Sequence, residues 1–445
     1  MTAWTGERVA QVLGASGVPD LTFSSITTDT RKLTSDALFV ALVGENFDGH
    51  DFLESARDGG AIGAVVRRGT TPIDGLQLIE VDDTLAALGL LARDRRGEIT
   101  GPVVAVTGTN GKTSVKEMLI CALGTRWEVH ATRDNLNNLI GVPLTMLGAP
   151  ASCQALVVEA GASEPGEIDQ LRNIIAPSLA VITNVAQGHL LGFGSLAGAL
   201  AEKVSLANGV AVTVVGTDPP ALSQRAIDVS GRVIVAGLDK SASVRPDESG
   251  VDSHGRGWLT FRGIRVVLPL LGRHQLDNVM LALAVAVELG LDLSAVAAAL
   301  ETVSLPRGRC ELVTHGDLVV LQDTYNANPG SLAALLVTAE TMRNDRPLVV
   351  ALGTMLELGP ESAELHARMA DAVMAVEPEL VAVLGEFATA FERHRERLGD
   401  RLLIAEDADA LGRELSGRLT GNELVLVKGS RGVRMERAVP HLISD

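Results

Sequence analysis

The residues best suited to chemistry lie at 107–113, where Thr-Gly-Thr-Asn-Gly-Lys-Thr separates an apolar run from a helical pattern. Glycines let the backbone curl so that successive N–H groups face phosphate oxygens, and the following helix N-terminus adds its positive dipole end. Lys112 would reach the β- and γ-phosphates, and the Thr113 hydroxyl would bind Mg²⁺. The spacing is tighter than in a standard P-loop, because Val106 stands where the first glycine is expected. The segment predicts a phosphate loop; the alternative is a glycine-rich turn without a ligand, in which Lys112 would have no structural use.

Two more polar side chains follow apolar runs. Glu159 ends the run ALVVE, and His189 follows the run ITNV after a short loop. Ligands of open α/β sheets bind at the carboxyl ends of parallel strands, and Mg²⁺ prefers hard oxygen ligands. From the residues alone, Glu159 is equally compatible with a solvated loop carboxylate. For His189 an ordinary hydrogen-bonded loop histidine is the simpler interpretation.

A third cluster follows the apolar run DLVVLQ. It contains Asp323 and the segment 325–329, which reads Tyr-Asn-Ala-Asn-Pro and holds the only tyrosine of the chain. A carboxylate and side-chain amides at a strand end suit the recognition of hydroxyl and amide groups. An Asx-rich turn that caps a helix starting near Ser331 is the alternative.

Short apolar runs alternate with helical patterns along the chain, which predicts an α/β fold with a mostly parallel sheet. Helices are expected over 195–207 and 274–289. The polar run 239–257 predicts a loop or a small antiparallel excursion. Breaks near Glu98 and at 305–312 predict three domains, with boundaries 1–98, 99–312 and 313–445.

Composition narrows the classes of function. At about 150 residues per domain, 445 residues suggest two to four domains. The net charge of −17 argues against nucleic acid or an anionic membrane surface as the main partner. Three widely spaced cysteines form neither a disulfide framework nor a zinc-ligand pattern. The first residues lack the apolar run of a signal peptide, and no run approaches the roughly 20 residues of a membrane span. We expect a soluble, cytoplasmic protein.

Nine motifs, in order along nearly the whole chain, resemble those of the Mur ligases, the ATP-dependent amide ligases of peptidoglycan precursor synthesis. They are TGTNGKTS, DNLNNLIGVPLTML, VVEAG, NVAQGHLLGFGSLAGALAEK, LGRHQLDNVMLA, GRC, DTYNANPGS, GTMLELG and VKGSR. The resemblance implies a small α/β uridine-binding domain, a central P-loop ATPase with a mostly parallel sheet, and a C-terminal Rossmann-like domain.

Two segments favour one branch of the family. The segment 27–52 is similar to the uridine-nucleotide domain of the members that add the third residue and the terminal dipeptide. DTYNANP is typical of the dipeptide-adding branch, and the D-N-P-R motif of the preceding ligase is absent. The resemblance implies that D-alanyl-D-alanine is joined to UDP-N-acetylmuramoyl-tripeptide through an acyl phosphate. The third residue of the peptide, lysine or diaminopimelate, stays open.

Position by position, the resemblance implies three groups of site residues. The ATP site would comprise Thr107, Gly108, Thr109, Asn110, Gly111, Lys112, Thr113, His274, Asn278, Arg309, Asp323, Asn326 and Asn328. The uridine site would comprise Thr30, Arg31, Asp48 and Gly49. Thr113 and Glu159 would hold one Mg²⁺, and His189 and a carbamylated Lys203 a second. Lys112, His189 and Lys203 are the expected catalytic residues. From the residues alone, Lys203 would be an exposed lysine on a helix.

Three positions depart from the family pattern: Ala160, Leu191 and Gln322. None of them removes a proposed phosphate or metal group. Two other functions compete with the dipeptide ligase. One is a ligase acting on folate or another acceptor, against which the segment 27–52 argues. The other is a nucleotide-gated switch that forms no bond, against which Glu159, His189 and Asp323 argue. We expect a monomer that binds no nucleic acid and inserts into no membrane.

Overall fold

The computed structural model describes residues 3–16, 18–44, 47–187 and 190–443. The chain divides into two compact units. The first comprises Met1–Val106, Arg126–Ala162 and Gly166–Ala180, and the second comprises Thr107–Thr125, Ser163–Pro165 and Val181–Asp445. The domain boundaries expected after residues 98 and 312 stay predictions.

The N-terminal part of the first unit contains a parallel four-stranded sheet. The chain begins with a separate antiparallel pair, β1 (Trp4–Thr5) and β2 (Thr22–Phe23). The strands of the parallel sheet follow, in the spatial order β3 (Ile26–Thr27), β4 (Ala37–Val40), β5 (Ala61–Arg67) and β6 (Gln77–Val81). The helices are α1 (Gly6–Leu13), α2 (Leu53–Asp58) and α3 (Thr84–Arg96), with 3₁₀ turns at Thr30–Lys32 and Gly49–Phe52. Successive strand residues face opposite sides, so Leu38 and Val40 pack with Leu91 of α3, while Phe39 packs with Leu53 of α2.

The central sheet carries the predicted phosphate loop. Its strands are β7 (Val103–Thr107), β8 (Val129–Ala131), β9 (Ala155–Glu159), β10 (Leu179–Ile182), β11 (Val212–Val215) and β12 (Arg232–Val235), in the spatial order β12-β11-β10-β7-β9-β8. The chain between and after them forms α4 (Lys112–Gly124), α5 (Gly141–Leu147), α6 (Glu167–Ile175), α7 (Leu190–Phe193), α8 (Leu196–Val204), a 3₁₀ turn at Ser205–Ala207 and α9 (Ala221–Ile227). Every residue of β7 and β9 is buried, as expected for apolar parallel strands covered on both faces.

The polar run near residue 250 forms the antiparallel excursion that was one of its two predicted structures. Its strands, in spatial order, are β13 (Glu248–Val251), β14 (Arg256–Phe261) and β15 (Ile264–Leu271). They are followed by α10 (His274–Glu288) and α11 (Leu293–Leu300). The predicted helix over 274–289 is thus confirmed to within one residue.

The C-terminal sheet brings three strand ends together. Its strands are β16 (Glu311–His315), β17 (Leu318–Asp323), β18 (Leu348–Leu352), β19 (Leu380–Val383), β20 (Leu402–Ile404) and β21 (Leu424–Lys428), in the order β16-β17-β21-β18-β19-β20. All neighbours are parallel except β16 and β17. Lys428 is in register with both Asp323 and Leu352, so the loops after β17, β18 and β21 begin side by side.

Helices and 3₁₀ turns connect the strands of this sheet. The helices are α12 (Pro329–Arg343), α13 (Ser362–Ala375), α14 (Glu386–Phe391), α15 (Arg395–Leu398), α16 (Ala408–Ser416) and α17 (Val439–Leu442). The 3₁₀ turns lie at Gly359–Glu361, Glu392–His394, Gly399–Arg401, Arg431–Val433 and Met435–Arg437. The predicted α/β class with mostly parallel sheets is confirmed.

Candidate active site

The loop between β7 and α4 curls at two glycines. Gly108 has a φ of 146° and Gly111 a φ of 81°, which side chains rarely adopt. A Cβ on Gly108 would lie 1.9 Å from Thr183 Oγ1, and one on Gly111 would lie 2.4 Å from Asn278 Oδ1. Conformation and space therefore both require glycine, and the loop has the curled backbone that phosphate binding needs.

The ammonium group of Lys112 folds back and donates hydrogen bonds to backbone carbonyls of the phosphate loop. Lys112 is the first residue of α4, and its Nζ donates to Gly108 O at 2.8 Å and to Thr109 O at 3.2 Å. Thr113 is buried in the first turn of the same helix. A helix N-terminus and a cation beside one curled loop form a site suited to phosphate groups.

The segment after β10 braces the loop, a role that our sequence analysis missed. Thr183 Oγ1 donates to Asn110 O at 2.5 Å, and Asn110 N donates to Asn184 Oδ1 at 3.1 Å. Thr109 N donates to Asn184 O at 2.9 Å. The signal was a Thr-Asn pair directly after an apolar run, but sequence alone does not show that β10 neighbours β7. His189, expected further along the same segment, lies outside the described residues.

Glu159 lies where a metal ligand was expected, at the carboxyl end of β9. It is buried and in register with Val106, the residue before the phosphate loop. Its Oε1 accepts a hydrogen bond from Asn137 Nδ2 at 3.0 Å, and its backbone N–H donates to Thr132 Oγ1 at 2.9 Å. A buried carboxylate held at a strand end has the hard oxygen donors that Mg²⁺ prefers. Among the described residues, no group of three or more His, Cys, Asp or Glu side chains is arranged to hold a metal ion.

Lys203 is buried and not exposed as its residue type alone suggested. It lies in α8, its side chain is 1% exposed, and its Nζ is 5.2 Å from the centroid of the Phe193 ring. The neighbouring Glu202 is buried as well. The exposed position that the residue type alone predicted is therefore wrong, and the role of Lys203 at a metal stays a prediction.

The first turn of α10 presents a chain of polar side chains. Asn278 Nδ2 donates to Gln275 Oε1 at 2.9 Å, and Gln275 Nε2 lies 3.2 Å from His274 Nε2. Burial lowers the pKa of His274, although the charge of Asp323 opposes this shift. His274 Nδ1 is buried, and no hydrogen-bond partner reaches it within the described part of the chain. It is therefore a candidate for contact with a ligand.

Arg309 lies beside a cavity. Its guanidinium stacks 3.8 Å from the centroid of the Tyr325 ring, and its buried Nε has no hydrogen-bond partner among the residues described. The cavity has a volume of about 540 Å³ and is lined by Leu271, Pro306, Arg309 and Cys310, among others. That volume suits a small ligand such as a nucleoside.

Asp323 is held by a cation that our sequence analysis did not assign. At the end of β17, its Oδ2 accepts from Lys428 Nζ at 2.5 Å, and its Oδ1 accepts from Cys310 N at 3.3 Å. Lys428 is 1% exposed and also donates to Asn326 O at 2.9 Å. The pair is an ion pair across adjacent strand ends, and it fixes the start of the 323–328 loop.

Asn328 both caps a helix and contacts the phosphate loop. Its Oδ1 accepts from Ser331 N at 2.9 Å and completes a capping box at the start of α12, the alternative that we considered for this segment. Its Nδ2 also donates to Asn110 Oδ1 at 2.7 Å, and Asn110 Nδ2 donates back to Asn328 Oδ1 at 3.3 Å. Asn326 instead accepts from the adjacent Ala327 N–H. The two motifs predicted separately therefore meet through one pair of amides.

The candidate uridine residues lie in two short turns of the first unit. Thr30 and Arg31 belong to one turn, where the guanidinium of Arg31 makes two hydrogen bonds to the Asp29 carboxylate, of 2.9 and 3.0 Å. The side chain of Arg31 lowers the pKa of Asp29 to about 2. Gly49 lies in the other turn, where a Cβ would be 2.7 Å from Leu42 O.

Asp48 organises the second of these turns. It accepts hydrogen bonds from His50 N at 2.9 Å and from Arg67 Nη2 at 3.0 Å, and its Oδ1 lies 2.5 Å from His50 Nδ1. These contacts, the backbone N–H of His50 foremost, lower the pKa of Asp48. Asp48 is therefore an ionised carboxylate held within a fixed network.

Known proteins resemble this chain along nearly its whole length. Models described as "Mur ligase family, catalytic domain", "Mur ligase middle domain" and "Mur ligase, glutamate ligase domain" match residues 22–96, 106–286 and 308–431. The UDP-N-acetylmuramoyl-tripeptide–D-alanyl-D-alanine ligase of Escherichia coli K12 is 37% identical over 438 residues, 94% of each chain. The crystal structure of MurF from Acinetobacter baumannii superposes with a TM-score of 0.90 at 28% identity over 100% of both chains. MurF from Thermotoga maritima in complex with ADP has a TM-score of 0.83 at 26% identity, over 94% of this chain and 97% of that one. None of the described helices combines the length and apolarity needed to cross a membrane.

Proposed function

The chain belongs to the Mur ligase family and is an ATP-dependent ligase, and we propose that it joins D-alanyl-D-alanine to UDP-N-acetylmuramoyl-tripeptide. The products are UDP-N-acetylmuramoyl-pentapeptide, ADP and phosphate. The observation that carries the proposal is the pairing of Asn110 with Asn328, which joins the phosphate loop to the segment typical of the dipeptide-adding branch.

The reaction must solve a leaving-group problem. A carboxylate does not react with an amine, because its leaving group would be oxide. Transfer of the ATP γ-phosphoryl group to the tripeptide carboxylate gives an acyl phosphate. The dipeptide amine attacks the acyl carbon, the new C–N bond forms, and phosphate leaves with the C–O bond electrons. Phosphoryl transfer of this kind depends chiefly on positioning and charge stabilisation.

Different residues are assigned to the phosphates and to the nucleoside of ATP. The backbone of 107–113 and the Lys112 ammonium stabilise the phosphate oxygens, as a curled loop at a helix N-terminus can. Two buried nitrogens that have no hydrogen-bond partner among the described residues, His274 Nδ1 and Arg309 Nε, are available to the nucleotide. The nucleoside end is assigned to the cavity that Arg309 and Cys310 line. Asp323, which accepts from Cys310 N, is assigned to the ribose, and Asn278 to the base.

Magnesium fits the oxygen donors of this chain. Thr113 and Glu159 would hold one ion, and His189 with a carbamylated Lys203 a second. Such ions neutralise phosphate oxygens when bound. An ammonium would repel the metal. Carbamylation adds CO₂ to the neutral amine with loss of a proton and gives an anionic carbamate. The burial of Lys203 supports this assignment because burial favours the neutral amine that reacts. A monomer acting in the cytoplasm remains part of the proposal.

The uridine end of the substrate is assigned to the first unit. Asp48 and Arg31 are fixed by neighbouring charges, which supports a rigid recognition surface. The N-terminal segment also argues against a folate-type ligase, the competing acceptor class, because the model described as "Mur ligase family, catalytic domain" matches residues 22–96.

Mass spectrometry of the product tests the proposal. We expect the protein with ATP, D-alanyl-D-alanine and UDP-N-acetylmuramoyl-tripeptide to release ADP and form the pentapeptide in equal amounts. Parallel reactions with the lysine and the diaminopimelate tripeptides would identify the third residue. Omission of the dipeptide should abolish product. Product with a folate acceptor, or ADP release that needs no acceptor amine, would contradict the proposal.

A further inference from the structure

The proposed reaction needs a group that recognises the terminal carboxylate of the dipeptide. Three loops follow β17, β18 and β21 at the carboxyl edge of the C-terminal sheet, at 323–328, 353–358 and 428–432; we call them the strand-end loops. Their strands are in register through Lys428, which pairs with both Asp323 and Leu352. In open α/β sheets, ligands bind at this edge, where the strand order reverses.

Hydrogen bonds fasten the strand-end loops to one another. Ser430 N donates to Thr354 O at 3.2 Å, and Leu356 N donates to Ser430 Oγ at 2.9 Å. Ser430 Oγ in turn lies 3.4 Å from Ala327 O. One buried serine thus fixes all three loops, so the side chains beside it are positioned before any ligand arrives.

A buried histidine supports the middle loop. Met355 N donates to His366 Nε2 at 2.9 Å, while His366 Nδ1 lies 2.8 Å from Ser362 O. The hydrogen bond from Met355 N requires a lone pair on Nε2, and burial, which lowers the pKa of His366, favours the neutral ring. The loop that carries Leu356 is therefore held in place by His366 of α13.

The strand-end loops contain two cations, Lys428 and Arg431. Lys428 is buried and neutralised by Asp323. Arg431 is exposed, and its guanidinium lies 5.3 Å from the centroid of the Tyr325 ring, which Arg309 also contacts. Among the described residues no carboxylate forms an ion pair with Arg431, so its charge is available to an anionic ligand.

An aliphatic side chain lies next to Gly432, the residue that follows this cation in the chain. Leu356 is 44% exposed, and a Cβ on Gly432, the residue after Arg431, would lie 3.0 Å from Leu356 Cδ1. Exposed leucine side chains need no explanation singly. This one, however, belongs to the same strand-end loops as the exposed Arg431, and an aliphatic group together with a guanidinium matches a small residue that has a methyl group and ends in a carboxylate.

We propose that Arg431 binds the terminal carboxylate of the dipeptide, with Leu356 against one of its methyl groups. This inference rests on the proposed function and names the acceptor subsite within it. A guanidinium can hold a carboxylate by two parallel hydrogen bonds. Recognition at the carboxylate leaves the amine at the other end of the dipeptide unbound by a cation and able to attack.

Kinetics with two acceptors test the assignment: D-alanyl-D-alanine and its C-terminal amide. Arg431→Gln should raise the KM for the acid about 10- to 100-fold, because charge-assisted hydrogen bonds are lost. It should raise the KM for the amide far less, so that the preference for the acid nearly disappears. Arg431→Lys should keep part of that preference. The KM values for ATP and the tripeptide should not change.

Arg434→Gln is the matched control, since Arg434 is an exposed arginine three residues away. Its KM values should stay within about twofold of wild type. An Arg431→Gln enzyme that still prefers the acid as strongly as wild type overturns the inference. Equal losses for all three substrates would also overturn it, because they indicate a structural role. Wild-type protein that makes no product with either acceptor refutes the proposed function itself, and the subsite with it.

Discussion

The phosphate loop and the Asp323 cluster reach a functional geometry in opposite ways. The loop takes its glycines and its cation from seven consecutive residues, and Lys112 bonds to carbonyls three and four residues away. The cluster joins Asp323 to Lys428 across 105 residues of chain, and Asn328 reaches Asn110 across 218. The first arrangement is local and made of backbone; the second exists only when two strands lie side by side.

Because of this difference, we expect substitutions in the phosphate loop to affect mainly catalysis and substitutions in the Asp323 cluster to affect mainly the free energy of unfolding. Lys112 Nζ donates to two carbonyls of its own loop and lies at the proposed phosphate site, so removing its ammonium should cost catalysis more than folding. Lys428 is a buried charge paired with Asp323, its one ionic partner among the described residues, so removing it leaves a carboxylate unpaired in a poorly solvated site. The two lysines should therefore respond to substitution in different measurements.

The largest expected effect is on the ion pair. Lys428→Met should lower the free energy of unfolding by about 3–5 kcal/mol, because it leaves the Asp323 carboxylate without its counter-ion in a poorly solvated site. Denaturant unfolding measures this change. Lys240→Met, at an exposed lysine, is the control and should change the free energy by at most about 0.5 kcal/mol.

A second substitution tells whether the charge itself is responsible. Asp323→Leu combined with Lys428→Met should recover part of the lost stability, because an apolar pair of similar volume leaves no unpaired charge. If Lys428→Met alone is as stable as wild type, the two sites do not differ in the way described.

Lys112→Ala is the reverse case. Loss of a group that stabilises oxyanions typically lowers kcat by about 10²–10³, and we expect at least this loss of ligation. The denaturation midpoint should stay near that of wild type. Steady-state kinetics and denaturant unfolding on one preparation give both numbers. Near-normal turnover would refute the phosphate-loop assignment.

The same contrast explains what the sequence could predict. The phosphate loop, α10 and the antiparallel excursion depend on neighbouring residues, so their patterns were sufficient. The braces Thr183 and Asn184 and the partner Lys428 depend on which strands are adjacent, which no local pattern encodes. Lys203 shows the limit most clearly, because lysine is usually exposed and only its tertiary surroundings bury it.

A smaller effect should separate the uridine turns from the ATP site. Asp48→Ala removes the carboxylate that holds His50 and Arg67, so the affinity for the uridine substrate should fall about tenfold. Arg31→Ala should weaken the same substrate. Affinity for ATP should stay unchanged in both variants. Titration calorimetry with each nucleotide measures this, and equal losses of both affinities would show that the assignment of Asp48 is wrong.

The smallest effect concerns the amide pair that links the two regions. Asn110→Ala and Asn328→Ala should each lower kcat/KM for ATP, but the double variant should be less impaired than the product of the two losses. We expect a coupling energy of about 1 kcal/mol, since residues in direct contact are seldom additive. Asn326→Ala, an amide of the same segment that bonds to its own neighbour, is the control and should combine additively with Asn110→Ala.

Asn328→Asp distinguishes the pairing of Asn328 from its capping role. Aspartate keeps the oxygen that accepts from Ser331 N at the start of α12, so the helix and its stability should be preserved. It keeps the oxygen that accepts from Asn110 Nδ2 but lacks the Nδ2 donor to Asn110 Oδ1, the shorter of the two bonds, so kcat/KM should fall most of the way to that of Asn328→Ala. If Asn328→Asp instead retains wild-type kcat/KM while Asn328→Ala loses both activity and stability, the amide serves only the helix. The phosphate loop and the C-terminal segment would then be neighbours without energetic coupling.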